Sequence, residues 1–403
     1  MLRILAYTYY STPWRRSSGD NVRVHEILRA LSRESDIVVG FTLTSLKRPT
    51  IIIAGPKLVY VGIPRSLYTM LSTLLNWKSH YDLNPLQKLT HYIDELYLCI
   101  ILRKFLDALR QKGFSNFMLY LFGSMSLASF FLKRILGLGR YTRIIYDVLG
   151  NYAQTLYLRS RRNPFELIRY GLYLALHKLQ LKESDVIVYP SRLDEENAKK
   201  MFSMKKTAVI PNPFPICYES MEEYLKYRNM RGDNDRAFFI LLAGGKSKGN
   251  EEAVRKTIEI FNELDSRRFK LVITGPWTEL RDLVKCSSIE ITEVIPHEEL
   301  KKFLATADIG LAPIFSHVAG TYLKTLAYLA ADLDIIGSPW AFTGLDSSWF
   351  KDRRIILVRN WNELKHELLK YLQTPHVRKE RSPVLCEELR DHYSCIKERL
   401  LSR

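Results

Sequence analysis

Apolar strands alternate with amphipathic helices along most of this chain, in two successive blocks. The first block contains the strand-like stretches RILAYTY, DIVVGFTL, FMLYLFG and RIIYDVLG, with helical patterns such as NVRVHEILRALSRE between them. The second block runs from AFFILLAGG through KLVITGP, IEITEVI, DIGLAPI and LDIIGS. Alternation of this kind predicts parallel sheets that are covered by helices. The sequence therefore predicts an α/β protein with two doubly wound, Rossmann-like domains.

The two blocks are separated by a segment rich in proline and polar residues. A chain of 403 residues exceeds what one hydrophobic core usually supports, so a division into domains is expected. Pro213, Pro215 and the run YRNMRGDNDR predict a linker at 213–236. The predicted domains are residues 1–212 and 237–382, followed by a C-terminal helix at 383–403 that packs back toward the first domain. Ligands of such sheets bind beyond the carboxyl ends of the strands, so we expect the domains to face each other across a cleft.

The positive charge of the chain is concentrated in its first half. The formal net charge is +17, and residues 1–210 contain 31 lysines and arginines against 15 acidic residues. This asymmetry predicts that the first half meets an anionic surface: phospholipid headgroups, a phosphorylated acceptor or nucleic acid. A solvated basic surface that aids solubility is the alternative. Nucleic acid is disfavoured because no recognition motif is present.

The remaining compositional signals favour a cytoplasmic protein. Five cysteines (Cys99, Cys217, Cys286, Cys386 and Cys395) show no CxxC or metal-ligand spacing, which predicts reduced thiols. The opening MLRILAYTYYS lacks a basic leader and a cleavage site, so it predicts a first buried strand and no signal peptide. Only five glutamines, with abundant Arg, Lys, Tyr and Ile, hint at a thermophilic source.

Two loops that follow predicted strands of the second block suit an anionic ligand. In GGKSKGN, the glycines Gly244 and Gly245 allow close backbone approach, and Lys246 and Lys248 supply charge before a helix. A tight turn with solvated lysines explains this loop equally well.

The second loop lies in the stretch AGTYLKTLAYLAADLDIIGSPWAFTG. Gly320 and Thr321 precede a helix in which Lys324 lies in the first turns, so the hydroxyl, the amides and the ammonium can hold a phosphate. Simple capping is the alternative for Thr321. Because both loops follow strands of one domain, a shared diphosphate site is expected.

These motifs resemble the donor-binding domain of the group-one (family four) GT-B glycosyltransferases. GTYLKTLAYLAADLDIIGSPWAFTGL is similar to the branch motif GTRLKxLEAxAxGxPVVxTxxGxEGL, and GGKSKGNEEAV is similar to a glycine turn followed by PNxEAV. VIPHEELKKFLATADIGLAPI also stands in the expected order. In the first half, SGDNVRVHEILRAL resembles the loop and helix that face the acceptor. The resemblance is specific from about Phe238 to Leu345 and loose from about Leu46 to Tyr141.

The resemblance implies a retaining enzyme that uses a UDP- or GDP-sugar as its donor and needs no metal. The implied donor-site residues are Gly244, Gly245, Lys246, Lys248, Pro296, His297, Gly320, Thr321, Tyr322 and Lys324. Gly320, Thr321 and Lys324 would lie at the diphosphate, and Pro296 and His297 near the base. Gly19 would lie on the acceptor side.

The sequence departs from the family pattern at several positions. Ala327 replaces the glutamate that holds the donor ribose, and Tyr322 replaces the arginine of GTRLK. Gly245 replaces an arginine found after the strand turn, and Ala319 takes the position eight residues before Ala327. Loss of a charged hydrogen bond costs about 1.5 to 3 kcal/mol, so we expect altered or weaker donor binding.

Three side chains are the acid–base candidates. Asp147 follows the RIIY strand, Asp20 lies in the glycine loop of the first half, and His317 precedes Gly320. His25, inside the first helix, is better explained by packing.

A basic and aromatic stretch, TLYLRSRRNPFELIRYGLYLALHKLQLK, completes the candidates. Arg159 and Arg161 belong to it and are expected on the acceptor side. Basic and aromatic residues interleaved on a helix suit a membrane interface. A core helix with a basic solvent-facing side is the alternative.

The sequence supports two hypotheses about function. The first is a cytoplasmic glycosyltransferase, peripheral at the membrane, that moves a sugar to a carbohydrate, lipid-linked or protein acceptor. The second is a catalytically silent relative that retains only binding. A non-hydrolysing epimerase is disfavoured by GTYLK.

Overall fold

Two β-sheets organise the chain in the computed structural model. By contacts, one unit consists mainly of Asp20–Pro211 and the other mainly of Asn212–His392. The structure describes residues 3–8, 19–44, 48–64, 85–123, 126–138, 142–149, 164–203, 206–231, 236–245, 248–315, 322–345, 349, 354–373, 381–392 and 400. No helix within these ranges has the length and apolar character needed to cross a bilayer.

The first unit contains an eight-stranded sheet with the strand order β3-β4-β2-β1-β5-β6-β7-β8. Its strands are β1 (Arg3–Thr8), β2 (Ile37–Thr44), β3 (Thr50–Gly55), β4 (Leu58–Pro64), β5 (Phe117–Phe122), β6 (Arg143–Asp147), β7 (Val186–Tyr189) and β8 (Thr207–Val209). All neighbours pair in parallel except β3 and β4, which form an antiparallel edge. β5 is buried along its whole length, as expected for a central parallel strand.

Helices cover both faces of this sheet. They are α1 (Gly19–Glu34), α2 (Pro85–Gln111), α3 (Ala128–Phe130, followed by a π-turn at Phe131–Ile135), α4 (Pro164–Glu183) and α5 (Arg192–Met201). One core cluster joins α2, α3 and α4 to the sheet, whereas a second joins α1 to the opposite face. Leu400 is buried in that second cluster, so the end of the chain returns to the first unit.

The second unit contains a six-stranded parallel sheet with the strand order β11-β10-β9-β12-β13-β14. Its strands are β9 (Ala237–Leu242), β10 (Phe269–Thr274), β11 (Ile289–Thr292), β12 (Ile309–Ala312), β13 (Asp334–Gly337) and β14 (Ile355–Leu357). Its helices are α6 (Met221–Asn229), α7 (Lys248–Asn262), α8 (His297–Thr306), α9 (Leu323–Ala330), α10 (Trp361–Gln373) and α11 (Cys386–His392). The strand order reverses between β9 and β12, which makes this the switch point where such sheets bind ligands.

The segment 213–236 differs from the predicted linker. It contains α6, which begins after the N-cap Ser220 and packs against α8. The buried Tyr224 of α6 bonds the Ala331 carbonyl, and Lys301 of α8 pairs with Glu223 at 2.8 Å. The proline and polar content of the segment concealed a helix that belongs to the second unit.

The prediction of reduced thiols is wrong for two of the five cysteines. Cys217 and Cys386 form a disulfide, although 169 residues separate them. A β-bridge between Tyr218 and Leu385 brings them together, and the Cys386 amide donates to the Tyr218 carbonyl. Spacing along the chain cannot reveal such a pair, because only the folded second unit brings the two segments together. Cys99 and Cys286 are free.

Removal of this disulfide should lower the stability of the second unit. A cross-link that closes a loop of this length contributes about 2 to 5 kcal/mol. We therefore expect Cys217→Ser and Cys386→Ser to lower the Tm by similar amounts, and the double variant to add little. Calorimetry measures the effect, and Cys286→Ser is the control. Equal Tm values for the wild-type and the double variant would exclude a stabilising role.

Candidate functional site

The switch point between β9 and β12 is held open by a tyrosine side chain. The two strands pair only at Ile309 with Phe239 and at Gly310 with Ile240. Beyond these pairs the Tyr328 hydroxyl lies between the strands, accepting from the Leu242 amide at 2.9 Å and donating to the Leu311 carbonyl at 3.0 Å.

Gly310 makes room for this ring. A Cβ atom at Gly310 would lie 2.3 Å from the Tyr328 ring, so no larger residue fits without moving Tyr328. The sequence resemblance singled out Ala327 and did not identify this glycine–tyrosine pair. The separation of the two strand ends therefore depends on Tyr328.

Tyr328→Phe should destabilise the second unit. The change leaves the buried Leu242 amide and Leu311 carbonyl without their partner, which costs about 1 to 3 kcal/mol. Urea unfolding measures this loss. Tyr227→Phe on α6 is the control: Tyr227 is half-buried and its hydroxyl bonds Glu223, away from the strand ends, so the change should cost less, about 0.5 kcal/mol. A value for Tyr328→Phe no larger than the control would show that the hydroxyl does not hold the strand ends.

Lys324, Asn250 and Gly245 meet at the carboxyl ends of β9 and β12. Lys324 Nζ donates to Asn250 Oδ1 at 3.0 Å, and Asn250 Nδ2 donates to the Gly245 carbonyl at 2.8 Å. Asn250 lies in the first turn of α7 and Lys324 in the first turn of α9. These bonds bring the amino-terminal turns of two helices together beside the glycine loop. Backbone amides and helix dipoles at such ends favour anions.

The glycine loop itself is open. A Cβ atom at Gly244 would meet nothing within 4 Å, so packing does not require glycine there. Lys248 begins α7, but its side chain, like the whole of Lys246, lies outside the described residues. Asn250 was not among the predicted site residues, although it occupies the asparagine of the PNxEAV pattern.

Among the residues that the structure describes, Lys324 supplies the positive charge at this site. Its side chain is half-buried, and burial lowers its pKa to about 8. Within the described part of the chain, its ammonium bonds an amide oxygen and has no carboxylate partner. A lysine left without a counter-ion in this way can accept the charge of an anionic ligand.

Anion binding at this site should weaken as pH rises through about 8. Lys324 carries its charge below its pKa and loses the charge above it. We expect the affinity for a nucleoside diphosphate to fall roughly fivefold to tenfold between pH 7.5 and pH 9. Calorimetric titration at several pH values measures the effect. Lys324→Arg should bind with little change over that range, and an equally steep decline in this variant would assign the pH dependence to another group.

Ala327 lies in an apolar environment. Its side chain is 1% exposed and belongs to the core cluster of α9, so its methyl group faces packed side chains. Tyr322 takes the N-cap position of α9 without a side-chain capping bond. Gly320, Thr321 and His317 lie outside the described residues.

Pro296 and His297 lie just after β11, and their predicted place near the base stays a prediction. Pro296 caps α8 and His297 begins it, after β11. β11 lies two strands from β9, which corresponds to about 10 Å across the sheet.

Asp147, which was predicted as an acid–base residue, is a buried carboxylate held in an ion pair, and its acid–base role stays a prediction. It is fully buried, and Arg23 donates to both of its oxygens at 3.1 and 3.0 Å. The Tyr120 hydroxyl donates to it at 2.9 Å. Burial raises the pKa of Asp147, while Arg23 and Tyr120 oppose that rise by bonding the ionised form. A strand-end aspartate looks the same in sequence whether it faces a cleft or a core.

The other first-unit candidates remain predictions. Gly19 and Asp20 begin α1, but the Asp20 side chain lies outside the described residues, as do Arg159 and Arg161. His25 is buried against Tyr60, with Nδ1 3.1 Å from its hydroxyl, in agreement with a packing role. Among the described side chains, no group of three His, Cys, Asp or Glu residues is arranged to hold a metal ion.

Known proteins resemble this chain in fold. No protein-family model and no curated protein matches the sequence. Solved structures do match. Sucrose-phosphate synthase from Thermosynechococcus elongatus superposes with a TM-score of 0.65 at 13% identity, covering 100% of this chain and 94% of that one.

Two further matches are similar in extent. A UDP-forming α,α-trehalose-phosphate synthase from Burkholderia xenovorans, in complex with glucose-6-phosphate, gives a TM-score of 0.63 at 11% identity and covers 100% and 96% of the two chains. The E. coli trehalose-6-phosphate structure bound with UDP-2-fluoro glucose gives 0.61 at 12% identity and covers 98% and 95%. With its two parallel-sheet, Rossmann-like units, the chain therefore has the GT-B fold.

Proposed function

We propose that this protein is a glycosyltransferase that takes its sugar from a nucleotide-sugar. The observation that carries the proposal is the junction of Lys324, Asn250 and Gly245 at the switch point of the second sheet. A diphosphate bound there would face a cation and the amino-terminal turns of α7 and α9. Donors arranged in this way stabilise the charge that develops on a departing diphosphate.

The matched structures suggest which substrates to test first. One is described as UDP-forming with glucose-6-phosphate, and another is bound with UDP-2-fluoro glucose. We infer a UDP- or GDP-hexose donor, with a sugar phosphate or lipid-linked phosphate as acceptor. The excess of basic residues in 1–210 suits an anionic acceptor. Retention of the anomeric configuration and independence from metal are part of the proposal.

A catalytically silent binding protein is the second candidate. Ala327 lies in the core and provides no carboxylate for a ribose, and Asp147 is occupied by Arg23. Binding of a nucleoside diphosphate would persist in such a protein because Lys324 does not depend on either residue.

Incubation with UDP- and GDP-sugars tests the proposal. We expect slow release of the nucleoside diphosphate, faster with glucose-6-phosphate than with glucose, and proton NMR should show retention in the product. Nucleotide binding without sugar consumption favours the silent protein. Neither binding nor turnover across the panel would reject both candidates.

A further inference from the structure

Helix α4 presents two different faces. Tyr173, His177 and Leu181 are buried on the side that packs against the first core. The opposite side exposes four large apolar side chains, which we call the α4 patch. The α4 patch consists of Leu167, Ile168, Leu172 and Leu179. Ile168 is 72% exposed and Leu172 is 58% exposed, so the patch faces solvent.

Two lysines share the exposed face with the α4 patch. At about 100° per residue, Lys178 and Lys182 fall within the same arc of about 140° as the patch residues. Both lysines are exposed, and in the described part of the chain neither forms an ion pair. The face is therefore apolar along α4, with two cationic side chains near its end.

Further basic residues precede α4 in the sequence. In sequence, the run Arg159, Arg161 and Arg162 comes just before the helix, within a half of the chain that carries 31 basic against 15 acidic residues. A partner for this face must accept apolar side chains and provide anionic groups beside them.

We propose that the α4 patch docks on an anionic phospholipid bilayer. The helix would lie in the plane of the interface, with leucine and isoleucine at the acyl boundary and the lysines at headgroup phosphates. A second copy of the chain fits less well. In a twofold pair, each lysine would meet a like charge or an apolar side chain, whereas headgroups offer every ammonium a phosphate.

Vesicle flotation of the full chain tests the proposal. Wild-type protein should float with vesicles of equal parts phosphatidylcholine and phosphatidylglycerol, and bind phosphatidylcholine alone at least about tenfold more weakly. Ile168→Gln/Leu172→Gln should weaken binding to the anionic vesicles by about tenfold or more. Lys178→Gln/Lys182→Gln should weaken it by about tenfold, and only on anionic vesicles.

The matched control lies on the edge strand β3. Ile51 and Ile53 are 70% and 77% exposed, so Ile51→Gln/Ile53→Gln removes comparable apolar surface elsewhere on the same unit. This variant should float like the wild-type, and thermal unfolding should show every variant folded. Equal loss in the control, or no flotation of the wild-type, would overturn the proposal. So would a wild-type dimer that Ile168→Gln/Leu172→Gln converts to monomer, because the patch would then bind a second copy.

Discussion

Replacing Lys324 with methionine is expected to lower kcat/KM for the nucleotide-sugar by about 100- to 1000-fold, the usual cost of removing one charge-stabilising donor from an active site. The ammonium lies at the carboxyl ends of β9 and β12 and bonds only the amide oxygen of Asn250 among described residues. Methionine retains the apolar stem of lysine, so packing should be conserved. The loss should fall mainly on the charge that develops on the leaving diphosphate.

Lys256→Met is the matched control for Lys324→Met. Lys256 also lies on the second unit, but it is exposed and pairs with Glu259 at 2.6 Å on the surface of α7. Its replacement should leave kcat/KM unchanged. A Lys324→Met variant with full activity would contradict the assignment of the diphosphate site. Loss of nucleotide affinity in Lys324→Met, from a wild-type that binds without turnover, would instead support the silent protein.

Asn250→Ala should disturb the position of the Lys324 ammonium without removing its charge. The carboxamide holds the Lys324 ammonium and the Gly245 carbonyl at once, so its loss leaves the charge but not its anchor. This relationship explains why Lys324, and not Asn250, was predicted from the sequence as a site residue. A lysine in the first turn of a helix that follows a glycine-containing loop suggests an anion site by its charge. An asparagine acquires its role from a partner 74 residues away.

The α/β class and the two parallel sheets were predictable because their strands read as continuous apolar runs, and the GT-B fold confirms that prediction. Features that depend on distant partners were not predictable. The Cys217–Cys386 disulfide requires a β-bridge between remote segments. The helix in 213–236 is stabilised by contacts with α8 that composition does not show.

Asp147 illustrates the same limit, and its role can be tested directly. Asp147→Ala should lower the stability of the first unit by about 3 to 5 kcal/mol, because Arg23 would remain buried without its carboxylate. For a unit of this size, the loss corresponds to a decrease in Tm of roughly 10 °C. Arg23→Met alone should be comparably harmful, since it leaves the carboxylate unpaired.

The double variant Arg23→Met/Asp147→Leu separates a structural role from a catalytic one. Exchange of a buried ion pair for apolar side chains of similar volume is often neutral, so the double variant should recover at least half of the stability lost in Asp147→Ala. The recovery is expected to be incomplete because Tyr120 and the Ile210 carbonyl each lose a hydrogen-bond partner. If Asp147 only supports the fold, kcat/KM of the double variant should stay within about threefold of the wild-type at a temperature where both are folded. A stable double variant that has lost turnover by 100-fold or more would support Asp147 as an acid–base residue.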